Sequence, residues 1–135
     1  MPTIPESIAG LPVFLEFFFG AVALLLLFAF VYSRVTPYNE IPLIRKGNVA
    51  AAIGLGGALL GYCLPLAGAV ARSASFEDLL AWGAIALIVQ LGVLGVARLL
   101  IPGLFDDMNK GRVASAVLLA VISLSAGLLN AASMG

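Results

Sequence analysis

Lys46-Gly47-Asn48-Val49-Ala50-Ala51-Ala52-Ile53 returns, slightly changed, as Lys110-Gly111-Arg112-Val113-Ala114-Ser115-Ala116-Val117. Each phrase opens a long apolar run. An arginine, Arg34 and then Arg98, stands at the same distance before each phrase, where an earlier apolar run ends. The chain therefore reads as two copies of one unit, and the unit as a pair of apolar segments. The first copy covers about residues 13–71 and the second about 79–134, within a single domain of residues 1–135.

Composition sets the class. Hydrophobic residues make up 62% of the chain and charged residues 10%, with a mean hydropathy of +1.14. A soluble domain carries about 25% charged residues, so this chain has too little polar surface to face water on all sides. Four apolar runs stand out: Val13–Val35, Val49–Ala71, Leu79–Ile101 and Val113–Met134. Each has the roughly 20 residues that a helix needs to cross a hydrocarbon core of about 30 Å. In lipid the backbone must satisfy its own hydrogen bonds, which makes the runs helices, and the alternating pattern of a transmembrane barrel is absent. The expected fold is an all-α integral membrane protein with four transmembrane helices. It is built as two parallel two-helix repeats, related by an axis along the membrane normal. The first run reads as a retained helix. A signal peptide has a basic start and a shorter core, whereas residues 1–12 lack Lys and Arg and include Glu6.

Basic residues divide unevenly among the loops. Arg34, Arg45 and Lys46 lie in the first, Arg72 in the second, and Arg98, Lys110 and Arg112 in the third. By the positive-inside rule, loops 34–48 and 98–112 face the cytoplasm and both termini face the periplasm. No basic patch exists beyond these loops, which excludes a nucleic-acid partner. The chain has no His and one Cys, Cys63. That inventory leaves no metal cluster, no disulfide within the chain and no nucleophile–base pair. Phosphate-loop and dinucleotide motifs are absent as well. The expectation is a non-enzymatic protein without cofactor, metal or catalytic residue. Its expected partners are the lipid bilayer, a second copy or another membrane protein, and a cytosolic partner at loops 34–48 and 98–112.

Small residues recur at helical spacing in the second run, at Gly47, Ala50, Gly54, Ala58 and Gly61, with Gly57 and Gly61 forming a GxxxG pair. Ala116, Ala120, Ser123, Gly127 and Ala131 do the same in the fourth. Such faces let helix backbones approach closely, either within the bundle or between copies. Pro65 lacks a backbone donor, and a bend or loss of regularity is expected there. Polar groups at membrane depth are the functional candidates. Gln90 falls near the midplane and shares a face with Gly83, Ala86 and Ala97. Glu16 and Asn130 fall near the opposite boundary, where they could form a polar mouth. Asn48 is placed to cap the second helix, while Asn39 and Glu40 read as turn residues after Thr36-Pro37.

Several of these motifs carry a family resemblance. Tyr32-Ser33 followed by Thr36-Pro37 and Asn39-Glu40, then Gly57 to Pro65, Trp82-Gly83, Gln90-Leu91, Arg98-Leu99 with Pro102, and Gly127 with Asn130-Ala131-Ala132 resemble the YjfL family of bacterial inner-membrane proteins, domain of unknown function number 350. The resemblance covers nearly the whole chain. It implies a four-helix inner-membrane protein made of two related helix pairs. It also implies a genomic setting near membrane-stress proteins and ATP-grasp ligases, and hence a role in envelope maintenance. Two functions follow as expectations: an oligomeric or partner-binding component of envelope maintenance, or a channel or transporter subunit for an ion or small solute.

Overall fold

The computed structural model describes residues 8–134. Among them the elements run α1 (Leu11–Val35), α2 (Glu40–Arg45), α3 (Val49–Arg72), α4 (Phe76–Leu100), α5 (Leu104–Asn109) and α6 (Val113–Ser133), with no strand. Helices α1, α3, α4 and α6, of 25, 24, 25 and 21 residues, are long and apolar enough to cross a membrane. The protein is an all-α membrane protein of four spans.

Local chemistry sets the helix ends. Pro37 pushes Thr36 to extended backbone (φ −73°, ψ 137°) and so stops α1. Asn48 caps α3 by accepting from the Ala51 amide at 3.0 Å, and Ser75 caps α4 by accepting from the Asp78 amide at 3.1 Å. The first loop, read above as a turn, and the third loop each fold into a six-residue helix. Both short helices close on a glycine in the left-handed region, Gly47 at φ 87° and Gly111 at φ 77°. In each case the next amide reaches back, Asn48 to the Leu43 carbonyl and Arg112 to the Asp107 carbonyl, both at 2.9 Å. That cap reverses the chain into the following span. Along the chain the order is span, short helix, span, then span, short helix, span.

The four spans pack in a rhomb. Helices α3 and α4 form its short diagonal and touch each other and both outer helices, α1 and α6. The closest pairing is between α3 and α6, which run parallel. The core between α1, α3 and α4 is aromatic: Phe28 stacks on Tyr62 with ring centroids 4.7 Å apart and leans on Tyr32 at 5.8 Å. The Tyr62 hydroxyl donates to the Gly83 carbonyl at 2.9 Å, so a buried polar tip is satisfied on α4. The outward faces carry Phe19, Leu26, Phe30, Ile88, Leu99 and Leu129, all exposed from the bundle as lipid-facing residues are. Helix α3 runs on through buried Pro65, which has no N–H to give the Gly61 carbonyl.

Candidate functional site

Gln90 is brought together with Gly61, Gly127 and Ser123 at the centre of the bundle. The buried face of α4 is Leu79, Gly83, Ala86, Gln90, Leu94 and Ala97, the face expected from the sequence. Gln90 is 3% exposed; its Nε2 donates to the Ser123 carbonyl at 3.3 Å, and its Oε1 is sealed without a partner. Glycine makes room for it, because a Cβ on Gly61 would stand 2.8 Å from Nε2 and 2.5 Å from the Ser123 carbonyl oxygen.

The other small residues line the same seam. A Cβ on Gly57 would lie 2.6 Å from the Ala120 Cα, and one on Gly127 would run into the Gly61 carbonyl group. A Cβ on Gly54 would strike the Met108 methyl. Gly54, Gly57, Gly61 and Gly127 therefore serve close approach inside this chain, between α3 and the helices α5 and α6, whereas Gly47 lies before α3 with no atom within 4 Å of a Cβ there.

Asn48 does more than cap. Its Nδ2 donates to the Met108 carbonyl at 3.0 Å, at the end of α5, while its Oδ1 holds the Ala51 amide. One side chain thereby ties the two halves together at the loop end of the bundle. Asn48→Ala removes a cap worth about 1 kcal/mol and a half-buried tertiary hydrogen bond worth about 1 kcal/mol more. The expected loss is about 2 kcal/mol in the unfolding free energy of the micelle-bound protein.

Glu16 and Asn130 are not joined. Glu16 lies on the exposed side of α1 and makes no hydrogen bond or ion pair among the described residues. Asn130 is half-buried on α6, its Nδ2 sealed and unpartnered. At that end the polar link is Arg72, whose guanidinium donates to the Ala131 carbonyl at 2.9 Å and so clasps the end of α6.

The residues that sequence reasoning missed sit at the loop end. Glu40, read as a turn residue, is 2% exposed and accepts a hydrogen bond from the buried Thr36 hydroxyl. Tyr38 is buried beside it and packs against Phe105 with centroids 5.9 Å apart. Burial, helped by the nearby Glu40 carboxylate, pushes the Tyr38 phenol up to about 12, so it stays neutral at physiological pH. Between the two loops lies a groove of about 420 Å³ lined by Pro37, Tyr38, Asn39, Phe105, Asp106 and Asn109. Arg98 stacks over Phe105 at 5.1 Å at its edge. The signal in the sequence was the spacing of Pro37 and Pro42 around Glu40, which leaves nearby carbonyls without amide donors.

The family model described as Domain of Unknown Function (DUF350) matches residues 6–134. The chain is similar to the UPF0719 inner membrane protein YjfL of Escherichia coli (strain K12), at 40% identity over 121 residues, covering 90% of this chain and 92% of the relative. It is also similar to the UPF0719 transmembrane protein YshE of Bacillus subtilis (strain 168), at 32% identity over 71 residues and 53% of each chain. No solved structure matches it.

Proposed function

The chain belongs to the family described as Domain of Unknown Function (DUF350), and on that premise we propose that it is a non-enzymatic, multi-pass component of the bacterial inner membrane that binds a partner in envelope maintenance. The inner-membrane placement draws on the printed name of the Escherichia coli relative. The orientation, with loops 34–48 and 98–112 in the cytoplasm and both termini in the periplasm, draws on the distribution of basic residues.

One observation carries the reading. Both loops fold onto the same end of the bundle and jointly wall the groove between Tyr38 and Phe105. That groove offers aromatic rings, the Asp106 carboxylate and two asparagine amides, a mixture suited to a protein surface. The midplane supports the same reading, because Gln90 is enclosed by Gly61 and Ser123 in close contact. A second copy remains an expected partner through the outer faces of α1 and α4, since the small-residue seam is occupied within the chain.

The rival is a channel or transporter subunit, and the unpartnered Gln90 Oε1 is what favours it. Flux through liposomes separates the two. Under the partner-binding reading, vesicles containing the protein pass K⁺, Na⁺ and H⁺ no faster than protein-free vesicles, and Gln90→Leu changes nothing. Flux above that background which Gln90→Leu abolishes overturns the reading in favour of permeation beside α4.

A further inference from the structure

Thr36 stands at the centre of an oxygen cluster, one hydroxyl against three acceptors. Its hydroxyl lies 3.3 Å from the Ser33 carbonyl oxygen and 3.4 Å from the Tyr38 carbonyl oxygen, and it is hydrogen-bonded to Glu40 Oε1. A hydroxyl carries one proton, so three acceptors share a single donor. The sequence explains the deficit. A continuing helix would give the Ser33 carbonyl the amide of residue 37, which is Pro37, and the residue four beyond Tyr38 is Pro42. Neither proline has an N–H to offer.

The cluster is also buried and holds a carboxyl group. Thr36, Tyr38 and Glu40 are all buried, and Glu40 forms no ion pair among the described residues. A carboxylate withdrawn from water needs a compensating positive charge. Tyr32, 1% exposed, places its hydroxyl near Tyr38 and Glu40. A groove of about 240 Å³, lined by Ser33, Arg34, Asn39, Glu40, Ile41 and Pro42, gives access from the loop side. Arg34 does not fill the need, because its guanidinium lies 5.0 Å over the Phe30 ring.

We propose that this cluster binds a hard monovalent cation, Na⁺ or K⁺, through the Glu40 carboxylate, Thr36 Oγ1 and the Ser33 and Tyr38 carbonyl oxygens. Carboxylate, hydroxyl and carbonyl oxygens are the ligands that hard cations take. The single carboxylate balances one positive charge, whereas a divalent ion would leave an uncompensated charge buried. The ion bridges the end of α1 and the start of α2, and so holds the platform that forms one wall of the loop groove.

The test is thermal unfolding of the purified protein in detergent micelles, in NaCl, KCl or N-methyl-D-glucamine chloride at equal ionic strength. An ion that binds only the folded state raises the unfolding midpoint saturably. The expected result is a midpoint several degrees higher in Na⁺ or K⁺ than in N-methyl-D-glucamine, with Glu40→Gln giving one midpoint in all three salts. Thr36→Val, which keeps the carboxylate and removes one ligand, raises the half-saturating concentration roughly tenfold; it also serves as the variant if Glu40→Gln does not fold. A wild-type midpoint indifferent to the cation overturns the proposal. So does a full shift retained in Glu40→Gln, an unchanged half-saturation in Thr36→Val, or stronger stabilisation by Mg²⁺ or Ca²⁺ than by either monovalent ion.

Discussion

Gly127→Ala is expected to destabilise the bundle by about 3 kcal/mol or more, at the upper end of what one added methyl costs in a packed interior. The added Cβ meets the Gly61 carbonyl oxygen, its carbon at 2.8 Å and the Gly61 Cα at 3.0 Å. These atoms are backbone, and no rotamer change relieves them. The helices must separate, and separation is costly here because close packing between α3 and α6 is what holds them together in lipid. It also pulls the Ser123 carbonyl away from Gln90. Gly92→Ala and Gly95→Ala, on the open side of α4 with no atom within 4 Å of the new Cβ, are the controls. They are expected to leave stability unchanged or raise it by about 0.5–1 kcal/mol, since alanine is the better helix former. Denaturation by sodium dodecyl sulfate from mild micelles, followed by far-UV circular dichroism, measures all three. Equal stability of Gly127→Ala and the parent would mean that the α3–α6 seam is looser than the geometry states.

The spans were legible because length and hydropathy alone decide what crosses a membrane. Val49–Ala71 in the sequence becomes Val49–Arg72 in the fold. The larger miss, Leu79 against an observed start at Phe76, has a physical cause. Glu77 and Asp78 break an apolar run, yet carboxylates suit the first turn of a helix, and Ser75 caps it. The inward face of α4 was legible from the spacing of Gly83, Ala86, Gln90 and Ala97. What Gly61 would touch was not, because the choice between α6 and a second copy is made by contacts distant in sequence. Glu40 was misread for a related reason. Thr36-Pro37-Tyr38-Asn39-Glu40 has the composition of an exposed turn, and contacts distant in sequence, such as Phe105 on Tyr38, do not show in it.

Gln90→Glu should cost about 3 kcal/mol, the scale for a carboxylate at the centre of a spanning helix. The amide now gives Nε2 to the Ser123 carbonyl. An ionised carboxylate has no proton to give, and would face both that carbonyl and the Gly61 backbone across a seam with no room for water. Gln90→Leu, apolar and one atom shorter, behaves differently. It loses one interhelical hydrogen bond, worth roughly 0.6 kcal/mol in a membrane, and at the same time removes the unpartnered Oε1. Burying an acceptor without a partner costs a comparable amount or more, so the leucine variant is expected within about 1 kcal/mol of the parent. The pair is informative because its pattern depends on the surroundings of residue 90. In a dry seam, glutamate is severe and leucine mild. In a hydrated path, glutamate would be solvated and its penalty would fall toward zero. The same detergent titration reads both variants, and a mild Gln90→Glu would count against the closed midplane on which the partner-binding reading depends.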